Sequence, residues 1–391
     1  MDTKLSPVNI TSSLRITEDT QNGVMFNPSI AWIRDNFYLL TVRNFRRYRD
    51  IKMGNKLPEE YHPDPIFNPQ HPWLGGIKSE TWWASTEEDG NVSEVYVVEL
   101  AANEIMNVQH LFTLDAGDIR PHRISETEYK LIGYDLRYFG PEHILADGTD
   151  CFYNSCTSII VTDVHVYRSA GKWEHKIINT HDAPCLAISN RTEKHWSLFK
   201  YNSILYYSYM LTPRHTIVNA NTCEKTVCPG SNFLRSLELY YPGSAISLSS
   251  QIIEFESGRY LSMGHFKIPF SLLDAEGDIT PFQRWLYERG SLETCFYVHT
   301  HVYFAFFYVF EAPTLEVVYL SPSFMVTGFE PYPLCFPAGL AYNPLTEMLV
   351  VSYSECDTAS KLVHLRLSEA LEMCTEIDEY TPETYPFDIL E

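Results

Sequence analysis

Gly117-Asp118-Ile119-Arg120-Pro121-His122-Arg123-Ile124 runs into Tyr129-Lys130-Leu131-Ile132-Gly133-Tyr134-Asp135. Apolar and polar residues alternate through 129–134, the two-residue period of a strand. A carboxylate and two arginines precede that strand, and the whole reads as a short β-hairpin. A chargeable group ahead of an inner strand is one way to hold chemistry on a rigid scaffold. The pattern then recurs along the chain. Residues 25–32 pair with 36–43 across Arg34-Asp35-Asn36, and 193–199 pair with 204–209 across a turn at 201–203. Residues 243–248 precede 258–265, and 336–342 precede 348–354 across Asn343-Pro344.

Between these five copies lie more strand-like segments, at 94–100, 158–167, 174–179, 251–255, 297–310 and 315–320. Long helical periodicity is nearly absent; 368–374 and 279–288 are the best helical candidates. Repeated four-stranded units without helices predict an all-β fold, a five-bladed β-propeller, built as a single domain over residues 1–391. A β-sandwich is the other reading, but it does not explain why each copy opens on a polar residue. Long loops are expected at about 44–75, 135–156 and 212–241. They follow inner strands, so they can wall one end of a central channel. The first carries Arg43, Arg46, Arg47, Arg49 and Lys52, which suit either an anion site or a solvated surface.

Composition narrows the function. The 391 residues are 45% hydrophobic, 14% aromatic and 20% charged, a globular balance rich in strand-favouring rings. The net charge of −21 argues against a nucleic-acid partner, which requires a basic face. Residues 1–16 hold no apolar run of the secretory type, and the longest apolar run, 302–310, is far short of a membrane span. A cytoplasmic protein with no membrane span is the expectation. Its nine scattered cysteines then read as reduced thiols, and the sequons at Asn9, Asn91 and Asn190 as chance matches.

The propeller reading predicts that Asn27, Asp118, Lys194 or His195, His265 and Asp357 converge. Carboxylates, an amide, imidazoles and a cation suit sugar hydroxyls and acid-catalysed glycosyl transfer. Trp32, Trp82, Trp83, Tyr134 and Trp196 offer faces on which sugar rings pack. No GxSxG, Walker loop, HExxH or dinucleotide fingerprint competes, and no metal-ligand cluster stands out. Structural roles stand beside these: an Asp118 ion pair with Arg120 or Arg123, a core His265, a surface Glu193–Lys194 pair, an Asp357 turn cap.

In order along the chain, Asn27-Pro28 with Arg43, Asp118-x-Arg120, Glu193-Lys194-His195-Trp196-Ser197, His265 and Ser352-Tyr353-Ser354-Glu355-Cys356-Asp357-Thr358 resemble glycoside hydrolase family 130. That family contains β-mannoside phosphorylases and some hydrolases, and β-1,2-mannosyltransferases are related to it. The resemblance implies a five-bladed propeller and a glycan or oligosaccharide substrate. It implies no cofactor, with inorganic phosphate or a nucleotide sugar as co-substrate. Asp118 matches the catalytic acid. Asn27, Arg43 and Asp357 match sugar-holding positions, to which we add Arg120, Tyr134 and Trp196. Lys194, His195, Arg214 and His265 would bind phosphate by charge-assisted hydrogen bonds. The sequence departs from the family where His195 replaces Asn, Ile119 replaces Pro and Gly117 replaces an acid. These departures leave the attacking group open between phosphate, an acceptor and water. Water would need a base such as Glu355 or Asp357. A non-catalytic glycan-binding propeller is the remaining alternative, and a homo-oligomer is compatible with any of these.

Overall fold

The computed structural model describes residues 8–9, 24–45, 91–101, 104–138, 155–183, 196–269, 301–326, 335–355 and 359–390. The helical candidate at 279–288, most of the first long loop and the centre of the second lie outside them. So do Lys194, His195 and Asp357.

The described residues are mostly β and form five sheets, with four blades in a propeller arrangement. Four of the sheets are four-stranded antiparallel blades. The first runs Val24–Arg34, Phe37–Phe45, Asn91–Ala101 and Glu104–Leu114; the second Gly117–Arg123, Glu128–Tyr138, Ser155–Ser169 and Lys172–Asp182. The third runs Ser197–Tyr201, Ile204–Met210, Thr216–Asn219 and Lys225–Val227. The last comprises Cys335–Asn343, Met348–Glu355 and Ala359–Arg366. Its outer strand is Val8–Asn9, which pairs with Lys361 and Leu362. An N-terminal strand thus completes a sheet whose other three strands come from residues 335–366.

The remaining sheet has eight strands. Ala245–Leu248 and Ile253–Glu256 both pair with Arg259–Pro269, which pairs with His301–Glu311. Glu316–Leu320 and Ser323–Val326 both pair with His301–Glu311 from the outer side. Thr375–Glu376 and Phe387–Leu390 then extend them.

The third long loop is a correction to the sequence reading. Residues 212–241 hold two strands and the helix Phe233–Tyr240. Those strands are only four and three residues long and largely polar, too short to display a period. The helix buries Phe233, Leu234 and Leu237 on one side, the spacing that one helical face requires.

Alternation along each strand sends side chains to opposite faces, and the sheets pack face to face. In Phe37–Phe45, Tyr38, Leu40 and Val42 join Ala341, Val350 and Leu362 of the last blade. Leu39 joins Ile119, Tyr129 and Leu131 of the second. Thr41 and Arg43 share the parity of Leu39. That parity brings the Thr41 hydroxyl to the Ile119 carbonyl and Arg43 to Asp118, both on the second blade.

Candidate active site

The first strands of the first two blades carry the same irregularity. In the first, the register shifts between Phe26 and Ser29, so Asn27 and Pro28 together oppose Val42. In the second, it shifts between Gly117 and Arg120, so Asp118 and Ile119 together oppose Gly133. Both are β-bulges, which re-aim a side chain at the cost of ladder bonds. Asn27 has φ of 50° and Asp118 has φ of 47°, the left-handed region that Asn and Asp enter most readily after glycine. Gly133 makes the second bulge fit. A Cβ there would stand 2.7 Å from Ile119 Cγ1 and 2.9 Å from the Gly117 carbonyl oxygen.

The bulges aim their side chains at one another. Asn27 Nδ2 donates to Asp118 Oδ1 at 2.8 Å, and Arg43 Nη1 reaches the same oxygen at 3.4 Å. The Asn27 and Arg43 contacts both fall on Oδ1. Asn27 and Asp118 are only 8% and 7% exposed, while Arg43 keeps 18% of its side chain accessible. The Arg43 guanidinium also lies 5.6 Å from the centre of the Tyr134 ring, the position in the second blade that matches its own in the first. Ser354 of the last blade completes the support. Its hydroxyl donates to Asn27 Oδ1 and accepts from the Asn27 backbone N–H at 2.8 Å. Three blades therefore meet at the Asn27–Asp118 pair.

A second group lies on the eight-stranded sheet. His265 is buried on Arg259–Pro269, the second strand of its hairpin rather than a leading position. Its Nδ1 meets Ser249 Oγ at 2.6 Å, and its ring stacks 5.5 Å from Tyr303. Burial first, then the charges of Lys267 and Arg120, lowers its pKa to about 3, so the imidazole is neutral at pH 7. Lys267 lies two residues on, the spacing that shares a strand face, and burial lowers its own pKa. Arg120 is buried, and its Nε donates to the Ser249 carbonyl at 2.6 Å. Burial lowers its pKa to about 10, against the raising effect of Asp118. Ser249 is thus the joint between the Asp118 strand and His265.

The other expected site residues are placed differently. Trp196 is buried against Tyr207 and Tyr209. Arg214 is exposed, with its Nε donating to Asn232 Oδ1 at 2.9 Å. Ser354, Ser249, Gly133 and Lys267 are the participants that the sequence reading did not single out. Ser354 and Gly133 lay within quoted stretches but were given no role there. Among the described residues, no group of three His, Cys, Asp or Glu is arranged to hold a metal, and no helix is long and apolar enough to cross a membrane.

No family model and no curated protein matches the sequence. Solved structures do. A GDP-mannose-dependent mannosyltransferase from Leishmania mexicana is similar at 8% identity and a TM-score of 0.46, over 92% of this chain and 90% of that one. A β-1,2-mannobiose phosphorylase from Listeria innocua is similar at 14% identity and a TM-score of 0.46, over 92% and 95%. A structure from the GH130 family of mannoside phosphorylases, described with hydrolases that target β-1,2-mannosidic linkages in Candida mannan, is similar at 11% and 0.47, over 88% and 85%. Glycoside hydrolase family 130 is therefore among the folds this chain is similar to, as its motifs led us to expect.

Proposed function

We propose that this protein is a carbohydrate-active enzyme that transfers or phosphorolyses a β-mannosyl unit, with Asp118 as general acid. The observation that carries the reading is the buried Asn27–Asp118–Arg43 group, built from matching bulges on adjacent blades. Backbone strain of this kind collects at functional sites, where the surrounding structure holds it in place.

In this reading the scaffold is a five-bladed propeller. The eight-stranded sheet counts as one blade whose first strand is broken at Ser249–Ile252 and whose outer strand is broken at Ser321-Pro322. A cavity on the axis supports that count, because all five sheets line it.

Asp118 gives its proton toward the glycosidic oxygen, directly or through a sugar hydroxyl. The bond from the anomeric carbon to that oxygen breaks as an oxygen of phosphate bonds to the same carbon, giving mannose 1-phosphate and a shortened glycan. Asn27 and Arg43 hold the carboxyl group and the donor sugar, with Asp357, Arg120 and Tyr134 as the remaining sugar-side residues; Trp196, packed against Tyr207 and Tyr209, supports them from behind. Lys267 supplies positive charge for the anion, and neutral His265 supplies a ring N–H or lone pair rather than a charge. Lys194 and His195 complete the anion side. The same cations suit the diphosphate of a nucleotide sugar.

The test is product analysis of β-1,2-mannobiose incubated with phosphate, without it, and of an acceptor incubated with GDP-mannose. Mannose 1-phosphate or a lengthened glycan supports the proposal. Free mannose formed equally well without phosphate would make the protein a hydrolase, and no product in any arm would leave a glycan-binding propeller.

A further inference from the structure

A cavity of about 590 Å³ opens on the axis at the end of the molecule away from Asp118. It is lined by the far ends of the first strands, among them Trp32, His122 and Lys200, each next to the turn that closes its hairpin. The Gln251 amide lies between this cavity and the bulges. Its Nε2 donates to Ser29 Oγ at 2.7 Å and to the Pro121 carbonyl at 3.2 Å, while its Oε1 accepts from Leu340 N–H at 2.9 Å.

His122, one of the residues lining the cavity, carries a buried ring nitrogen with no partner among the described residues. His122 is 4% exposed and hydrogen-bonds the backbone of Leu198, yet its Nε2 has no hydrogen-bond partner among the described residues. A buried polar atom left so costs about 1–3 kcal/mol, which a ligand can relieve. The imidazole is neutral, because burial and the Arg120 charge both disfavour the proton. Charges around the cavity are balanced: Arg123 and Lys200 are matched by Glu126 and Glu254. Such a lining gives no surplus of either sign to hold an ion. The Trp32 ring adds flat apolar surface, with the Arg123 guanidinium 4.6 Å from its centre. The volume lies within the roughly 300–1,000 Å³ of small-ligand sites. A buried neutral anchor, balanced charge and a ring face suit a polyhydroxylated neutral ligand, whose hydroxyls both donate and accept and whose C–H face packs on a ring.

We propose that this cavity is a second sugar site, taking a neutral mono- or disaccharide with His122 Nε2 as its buried anchor. It stands apart from Asp118 and does not depend on Asp118 being catalytic.

Calorimetric titration with mannose, glucose, β-1,2-mannobiose and cellobiose tests it. Wild-type protein is expected to bind at least one of these sugars at a site that Trp32→Ala and His122→Phe each weaken at least tenfold. Asp118→Asn is expected to leave that site intact. Trp32 lies at the rim, so its variant decides the matter if His122→Phe does not fold. Binding of none of the four sugars, or binding unchanged in Trp32→Ala, would overturn the proposal. Inorganic phosphate binding that Trp32→Ala abolishes would overturn the ligand class.

Discussion

At the scale of single residues, the backbone decides where the chemistry points. Asn27 and Asp118 meet because each occupies the first position of a bulge with a positive φ. Gly133 is the only type of residue that fits opposite Asp118 without displacing Ile119 or the Gly117 carbonyl. Gly133→Ala is therefore expected to cost about 1–3 kcal/mol in denaturant unfolding. It should also lower kcat by more than it changes KM, because the carboxyl group is moved while the sugar contacts remain. A Gly133→Ala protein with wild-type kcat would show that bulge geometry does not position Asp118. Asp118, Asn27 and Arg43 were legible in the sequence as polar residues flanking strands. Gly133 and Ser249 were not, because their importance comes from register across a sheet or between sheets, which leaves no local pattern.

At the scale of elements, hydroxyls and one amide tie the blades together around the axis. Ser352 Oγ donates to the Pro28 carbonyl at 2.5 Å, Ser93 Oγ to the Ala116 carbonyl at 2.7 Å and Ser197 Oγ to the Ser250 carbonyl at 2.5 Å. Gln251 alone contacts the first strands of three other sheets. Gln251→Leu keeps the bulk but leaves the Leu340 N–H and the Pro121 carbonyl without that partner. Urea unfolding should register a loss of about 1–3 kcal/mol for each group left unsatisfied; an unchanged midpoint would contradict this role. The hairpins were legible because aromatic and β-branched residues alternate through them. Glu104–Leu114 escaped, since as an outer strand it buries fully only Phe112 and so shows little hydrophobic alternation. The break at Ser249–Ile252 escaped too, because 251–255 reads as a separate strand-like segment and nothing local marks it as the continuation of Ala245–Leu248.

At the scale of the whole molecule, packing of the sheets buries groups that titrate. Burial lowers the pKa of His122, His215 and His265 to about 3, 4 and 3. The unfolded chain takes up these protons below about pH 6.5 and the folded chain does not, so stability is full above that pH and falls as the pH drops. Each histidine contributes up to about 1.4 kcal/mol per pH unit. Glu94 adds to this at lower pH. Burial raises its pKa, but hydrogen bonds from His110, Thr113 and Asn44 outweigh that and leave it below 4.5. Its contribution is therefore present above that value and lost as the pH falls through the folded-state pKa. Denaturant unfolding at pH 7.5, 6 and 5 is expected to show a steady decline, and a flat profile would contradict the neutral buried imidazoles. The all-β propeller arrangement was legible from five recurrences of one hairpin. The eight-stranded sheet was not, because its first and outer strands are broken and its last strands come from the C-terminal segment. The central claim is that Asp118 supplies the proton for transfer of a mannosyl unit. Mannosyl transfer by Asp118→Asn, measured beside its melting temperature, tests that claim most directly. The account predicts a fall of about 10²–10⁴-fold in turnover with the fold retained, and wild-type turnover in a folded Asp118→Asn protein would contradict it.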